Sequence, residues 1–171
     1  MTRARVVLIP LVLCAGCGFT PGASVGDACS LLTLADAQTL DPTVQRGSNY
    51  QLHPEEDRQA FVCGYVSTES MLKVDFLVTV PLTRAGDDEV NEAISHGLSG
   101  EVALTSVSGL GDAAVTYVSP GEGHGIRAKS EGDLLDLLVW SDNASAPSSV
   151  PVESLVAVMR ATVSRMPQRG Q

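Results

Sequence analysis

The sequence predicts an α+β domain, a mainly antiparallel sheet with helices laid on it, and three observations carry that prediction. Met71–Val80 alternates in period two, with Leu72, Val74, Phe76, Val78 and Val80 on one face and Met71, Lys73, Asp75, Leu77 and Thr79 on the other. Four runs of β character, 102–106, 113–119, 125–130 and 134–141, follow one another across short glycine-bearing turns, which favours antiparallel neighbours. Helical periodicity falls at the start, middle and end of the body and is not interleaved strand by strand, as a doubly wound sheet requires.

Taken in order, Thr33 with Asp36 three residues later reads as an N-cap and an acidic N3, so a short helix is expected from Leu34 to Leu40, stopped by Pro42. Ala60–Ser67 is aromatic and β-branched and reads as a strand bearing Cys63, turned back near Thr68–Ser70 into the alternating strand. From Gly86 to Leu98 the period changes. Val90, Ala93, Ile94 and Leu98 form one helical stripe, Asp87 is placed as the N-cap, and Asp88, Glu89 and Glu92 suit the positive end of the helix dipole. The turn Ser108-Gly109-Leu110-Gly111-Asp112 calls for positive φ. Leu134–Trp140 is apolar on both pleat faces except at Asp136, the mark of a central strand covered on both sides. Pro151 opens a last helix with Val152, Leu155, Val156, Met159, Val163 and Met166 as its apolar stripe.

Ahead of this body, Arg3 and Arg5 precede an apolar run from Val6 to Leu13 that is shorter than the roughly 20 residues a permanent membrane span needs. Small residues then lead into a cysteine. Cys14-Ala15-Gly16-Cys17 resembles the lipobox of bacterial lipoproteins, with Cys14 standing where leucine is usual. The resemblance implies a signal peptide over residues 1–16, diacylglyceryl modification of Cys17, a lipidated tether over 17–28, and a single domain over 29–171 held at the outer face of the bacterial cytoplasmic membrane. Cleavage there would remove Arg3 and Arg5 and leave the mature chain two charges more negative than the −9 of the whole. Anionic lipid repels such a domain, so attachment would rest on the acyl chains.

Cys29 and Cys63 then remain as an even pair in a chain bound for an oxidising compartment, with one possible connectivity, and a structural disulfide is expected.

Composition narrows the function classes. Two lysines and nine scattered arginines against 20 acidic residues cannot assemble a basic face for a phosphate backbone, so no nucleic-acid partner is expected. His53, His96 and His124 are far apart and have no carboxylate or cysteine at metal-ligand spacing, and Glu55-Glu56-Asp57 and Asp87-Asp88-Glu89 lack the oxygen spacing of a calcium loop. Gly22-Ala23-Ser24-Val25-Gly26 lacks the strand and helix of a nucleophile elbow, and no basic residue follows Gly109-Leu110-Gly111 to make it a phosphate cradle. The expectation is therefore no catalytic residue, no metal and no cofactor. Trp140 is assigned to packing, with the floor of a ligand cleft as its other use. The function expected is that of a tethered, non-enzymatic module that docks to an envelope protein or holds a small ligand. The alternative is an envelope hydrolase whose acid pair or Ser-His pair is assembled from distant positions.

Three separated segments, Cys29-Ser30-Leu31-Leu32-Thr33, Cys63-Gly64-Tyr65 and Val107-Ser108-Gly109-Leu110-Gly111-Asp112-Ala113-Ala114, resemble the pattern of the actinobacterial lipoproteins grouped as domain of unknown function 3558. Tyr65 stands where that family commonly has tryptophan. The resemblance implies an α+β sandwich similar to the photosystem oxygen-evolving protein PsbP, and it implies no reaction.

Overall fold

The computed structural model describes residues 25–45, 47–95, 104–119, 123–141 and 150–168. The segment 1–16, Cys17 and the tether as far as residue 24 lie outside the described residues, as do His96 and Leu98. Seven strands, β1 (Gly47–Gln51), β2 (Arg58–Val66), β3 (Leu72–Pro81), β4 (Leu104–Ser106), β5 (Ala113–Ser119), β6 (Gly123–Ser130) and β7 (Asp133–Ser141), form one sheet in the order β1-β2-β3-β7-β6-β5-β4. Two antiparallel meanders, β1 to β3 and β4 to β7, meet where β3 pairs with β7, with Phe76 opposite Leu137 and Val78 opposite Leu135. The strand that is apolar on both faces is thus the middle one, as its composition requires. Four helices accompany the sheet: α1 (Ala28–Leu31), α2 (Leu34–Leu40), α3 (Arg84–Ser95) and α4 (Val152–Val163).

One face of the sheet is the main core. Val74, Phe76 and Val78 of β3, Ile126 and Ala128 of β6, and Leu135, Leu137 and Val139 of β7 form one buried cluster with Leu31 and Leu32 at α1 and Leu155 and Met159 of α4. Cys29 of α1 is disulfide-bonded to Cys63 of β2 with their Cα atoms 5.0 Å apart, and the Tyr65 hydroxyl donates to Leu32 O at 2.7 Å beside it. The α2 cap is the capping box expected at Thr33 and Asp36. Burial alone would raise the Asp36 carboxyl, but hydrogen bonds from Arg165 and Thr33 outweigh it and hold it below its ordinary value. Those bonds also clamp α2 to the end of α4, because the Arg165 guanidinium reaches both Asp36 oxygens, at 2.7 and 3.0 Å, and Leu31 O at 2.7 Å.

Several elements differ from their sequence-based expectation. Ala28 opens α1 fully buried and Val25 packs on the core, so the last residues assigned to the tether belong to the body. β1 has no counterpart among the expected elements: Gly47-Ser48-Asn49-Tyr50-Gln51 has little β propensity and pairs only as a largely exposed edge. α3 starts at Arg84, with Thr83 Oγ1 accepting from Gly86 N at 3.4 Å, and Asp87 falls inside the first turn and not at the cap. In α4 the buried stripe is Leu155, Val158, Met159 and Thr162, while Val152 is exposed and Val156 and Val163 are only partly buried, because the buried face is rotated away from the side that carries those three valines. The positive φ expected of the 108–112 turn is present at Gly109 and Gly111. A Cβ at Gly111 would lie 2.2 Å from Lys129 O, so close approach to β6 reinforces the need for glycine.

Candidate functional site

The opposite face of the sheet carries the residues between those of the core: Ala60 and Val62 of β2, Lys73, Asp75, Leu77 and Thr79 of β3, Leu134, Asp136, Leu138 and Trp140 of β7, and Arg127 and Lys129 of β6. α3 crosses part of this face and buries Val90 and Ala93 against Leu134. Helical spacing explains the fit. Gly86, Val90 and Ala93 lie on one stripe at intervals of four and three residues, and Glu89 and Glu92 border it on one side. Asp87 and Asn91 border it on the other, where the Lys129 ammonium donates to Asp87 at 3.3 Å and to Asn91 at 2.7 Å. At its start the helix presses on the β1–β2 connection: a Cβ at Gly86 would stand 2.4 Å from Asp57 O, and Leu82 N donates to the same oxygen at 2.7 Å.

Along the Glu89–Glu92 edge this leaves a groove of about 550 Å³. Its floor is Ala60, Leu77, Thr79 and Leu134, its roof is Val90 and Ala93, and Leu52 closes one side. Charged groups ring it. Arg58 pairs with Glu55 at 2.5 Å and with Glu89 across the opening, which ties β2 to α3. Asp136 stands at the inner end, where its carboxylate accepts from the Tyr117 hydroxyl at 2.6 Å and from Arg127 Nε at 2.7 Å, and the Arg127 guanidinium lies 4.3 Å from the centre of the Tyr117 ring. Only 3% of the Arg127 side chain and 13% of that of Asp136 are exposed, so this is a desolvated pair whose geometry the neighbouring strands fix. The one polar interruption in the β7 sequence is therefore the anchor of a buried charge cluster.

Trp140 lies further along the same face, where its indole N–H donates to Asp75 at 2.6 Å and the Lys73 ammonium stands 4.2 Å from the ring centre. It does not line the groove. His53 is exposed in the β1–β2 connection and His124 is on β6 facing the main core side, so these two histidines are not brought together. Among the described residues no group of three or more His, Cys, Asp or Glu is placed to hold a metal ion. The two acidic runs, by contrast, are brought together: Glu55 and Glu89, thirty-odd residues apart in sequence, share Arg58. The spacing of the two runs in the sequence does not show that link. The available signal was Leu77, an apolar residue among the polar ones of its β3 face, which marks a second covered side of the sheet. No described helix is long and apolar enough to cross a membrane. Comparison with protein-family models, with curated proteins and with solved structures finds no match to this chain.

Proposed function

We propose that this protein is a lipid-anchored extracytoplasmic module that holds a small ligand in the groove beneath α3, without turnover of its own. The observation that carries the reading is the groove itself. It has an apolar floor and a few charged groups fixed by one another, and its volume falls in the range of small-molecule sites, roughly 300–1,000 Å³. A ligand-holding role asks of the polar residues only that they orient and select; the buried Arg127–Asp136 pair at the inner end and the Arg58 bridge at the mouth supply charged groups for that. The lipobox-like Cys14-Ala15-Gly16-Cys17 supports anchoring through Cys17 at the outer face of the cytoplasmic membrane. Confinement to one membrane raises the effective concentration of the domain for any envelope partner that delivers or receives the ligand.

A place among the lipoproteins of domain of unknown function 3558, with a PsbP-like sandwich, is part of the same proposal. Its support is that the three motif segments converge: Cys29 is bonded to Cys63, Tyr65 reaches Leu32, and Leu110 of the Gly-Leu-Gly-Asp turn is buried in the same core cluster. The anchoring half of the proposal is tested by fractionating cells that express Cys17→Ser. That variant should leave the membrane fraction while the wild type stays in it; a variant that remains as firmly bound as wild type, with Cys14→Ser released in its place, would move the anchor.

A further inference from the structure

We infer that the groove beneath α3 selects an amphiphilic organic cation, a single ammonium or guanidinium group on an aliphatic or aromatic body. The inference rests on the ligand-holding reading above and adds the chemical class. Its basis is the charge of the lining. Four acidic residues, Glu55, Glu89 and Glu92 at the mouth and Asp136 at the inner end, line the groove with one basic residue, Arg58. Arg127, behind Asp136, compensates that carboxylate, and Arg58 can compensate only one of the two glutamates that it bridges. Among the described lining residues two negative charges are left over, one of them on Glu92, which sits on the exposed flank of α3.

Their position relative to the apolar surface sets the shape of the ligand. Ala60, Leu77, Leu134, Val90 and Ala93 form an apolar floor and roof around Thr79, while the uncompensated carboxylates lie along the lip. A bound molecule would therefore lay its hydrocarbon inward, toward the Asp136 end, and leave its cationic group at the mouth between Glu89 and Glu92. Apolar burial supplies affinity that is indifferent to charge, and the lip supplies the selection. An anionic amphiphile of the same size meets the same floor and a repulsive lip.

The test is titration of the intact, disulfide-bonded chain in non-ionic detergent with three probes of one shape, phenylbutylamine, phenylbutanol and phenylbutyrate, with amide chemical shifts reporting the place of binding. The amine should perturb Ala60, Leu77, Val90, Ala93 and Leu134 and bind about tenfold tighter than the alcohol, with the carboxylate weakest, as expected of two partly sheltered charges. The preference should shrink severalfold in Glu92→Gln, whose exposed position leaves folding intact, and should weaken as salt is raised. If the alcohol or the carboxylate binds in the groove as well as the amine, the ligand-holding reading stands and the cation assignment is overturned. If no probe perturbs the groove, both fail.

Discussion

Met159→Asp should abolish the cooperative unfolding transition of this protein. Met159 is fully buried on α4 within the cluster that joins that helix to the main sheet face. The substitution removes a large apolar side chain, which by itself costs about 2–5 kcal/mol, and it forces a carboxylate into surroundings where it has no partner. Together these are comparable with the whole stability of a domain of this size, about 5–15 kcal/mol. The matched control is Val152→Asp on the same helix. Val152 is 42% exposed, and an acidic residue in a first helical turn is favourable, so that variant should melt within a few degrees of wild type. Thermal unfolding followed by circular dichroism distinguishes the two. A sharp, unshifted transition in Met159→Asp would mean that α4 is not docked in the phase described.

Loss of the Cys29–Cys63 bridge should be the next largest effect. The bridge spans 34 residues of sequence and ties α1 to β2, and in the chain-entropy account a loop of that length is worth about 3.5–4 kcal/mol. α1 is a single turn with no side-chain cap, held on the sheet by this bond, by the burial of Ala28, Leu31 and Leu32, and by the hydrogen bonds that Leu31 O and Leu32 O accept from Arg165 and Tyr65. Denaturant unfolding of the Cys29→Ala/Cys63→Ala double variant should give an unfolding free energy lower by that amount. A loss well under 1 kcal/mol would show that the first residues of the body are held by their apolar contacts and the Tyr65 and Arg165 hydrogen bonds without need of the bridge.

The fold was legible where a local rule acts alone. The period-two pattern of β3, the Thr33–Asp36 capping box and the two-faced apolar run of β7 each specify their element without help from distant residues, and each is where the spacing puts it. β1 was hidden because an exposed edge strand needs neither alternation nor β-branched residues; its register is imposed by β2. The phase of α4 is less legible because its apolar residues cover a wide arc that includes Val152, Val156 and Val163, and only packing against the sheet decides that the face through Val158 and Thr162 is the buried one.

The candidate site was legible in fragments only. Asp136 stood out as the polar exception in an apolar strand, and Glu89 and Glu92 were visible beside Val90 and Ala93. What joins them is tertiary. The groove exists because two meanders meet at β3 and β7 and because the chain between them, α3, returns over their second face with Gly86 pressed to Asp57 O. Arg58, the residue that links the two acidic runs, carried no signal of its own in the sequence.

The most direct test of a ligand-holding groove is the native mass of the protein purified without denaturation from the cells that make it, in mild non-ionic detergent, wild type beside Ala60→Phe. Ala60 lines the floor of the groove from β2, and an aromatic side chain there fills the space while remaining favourable in a strand. The wild type should carry one small molecule per chain, and Ala60→Phe, with its unfolding transition unchanged, should carry none. An empty wild-type protein, or a bound molecule that Ala60→Phe retains, would contradict the assignment of this groove as the site.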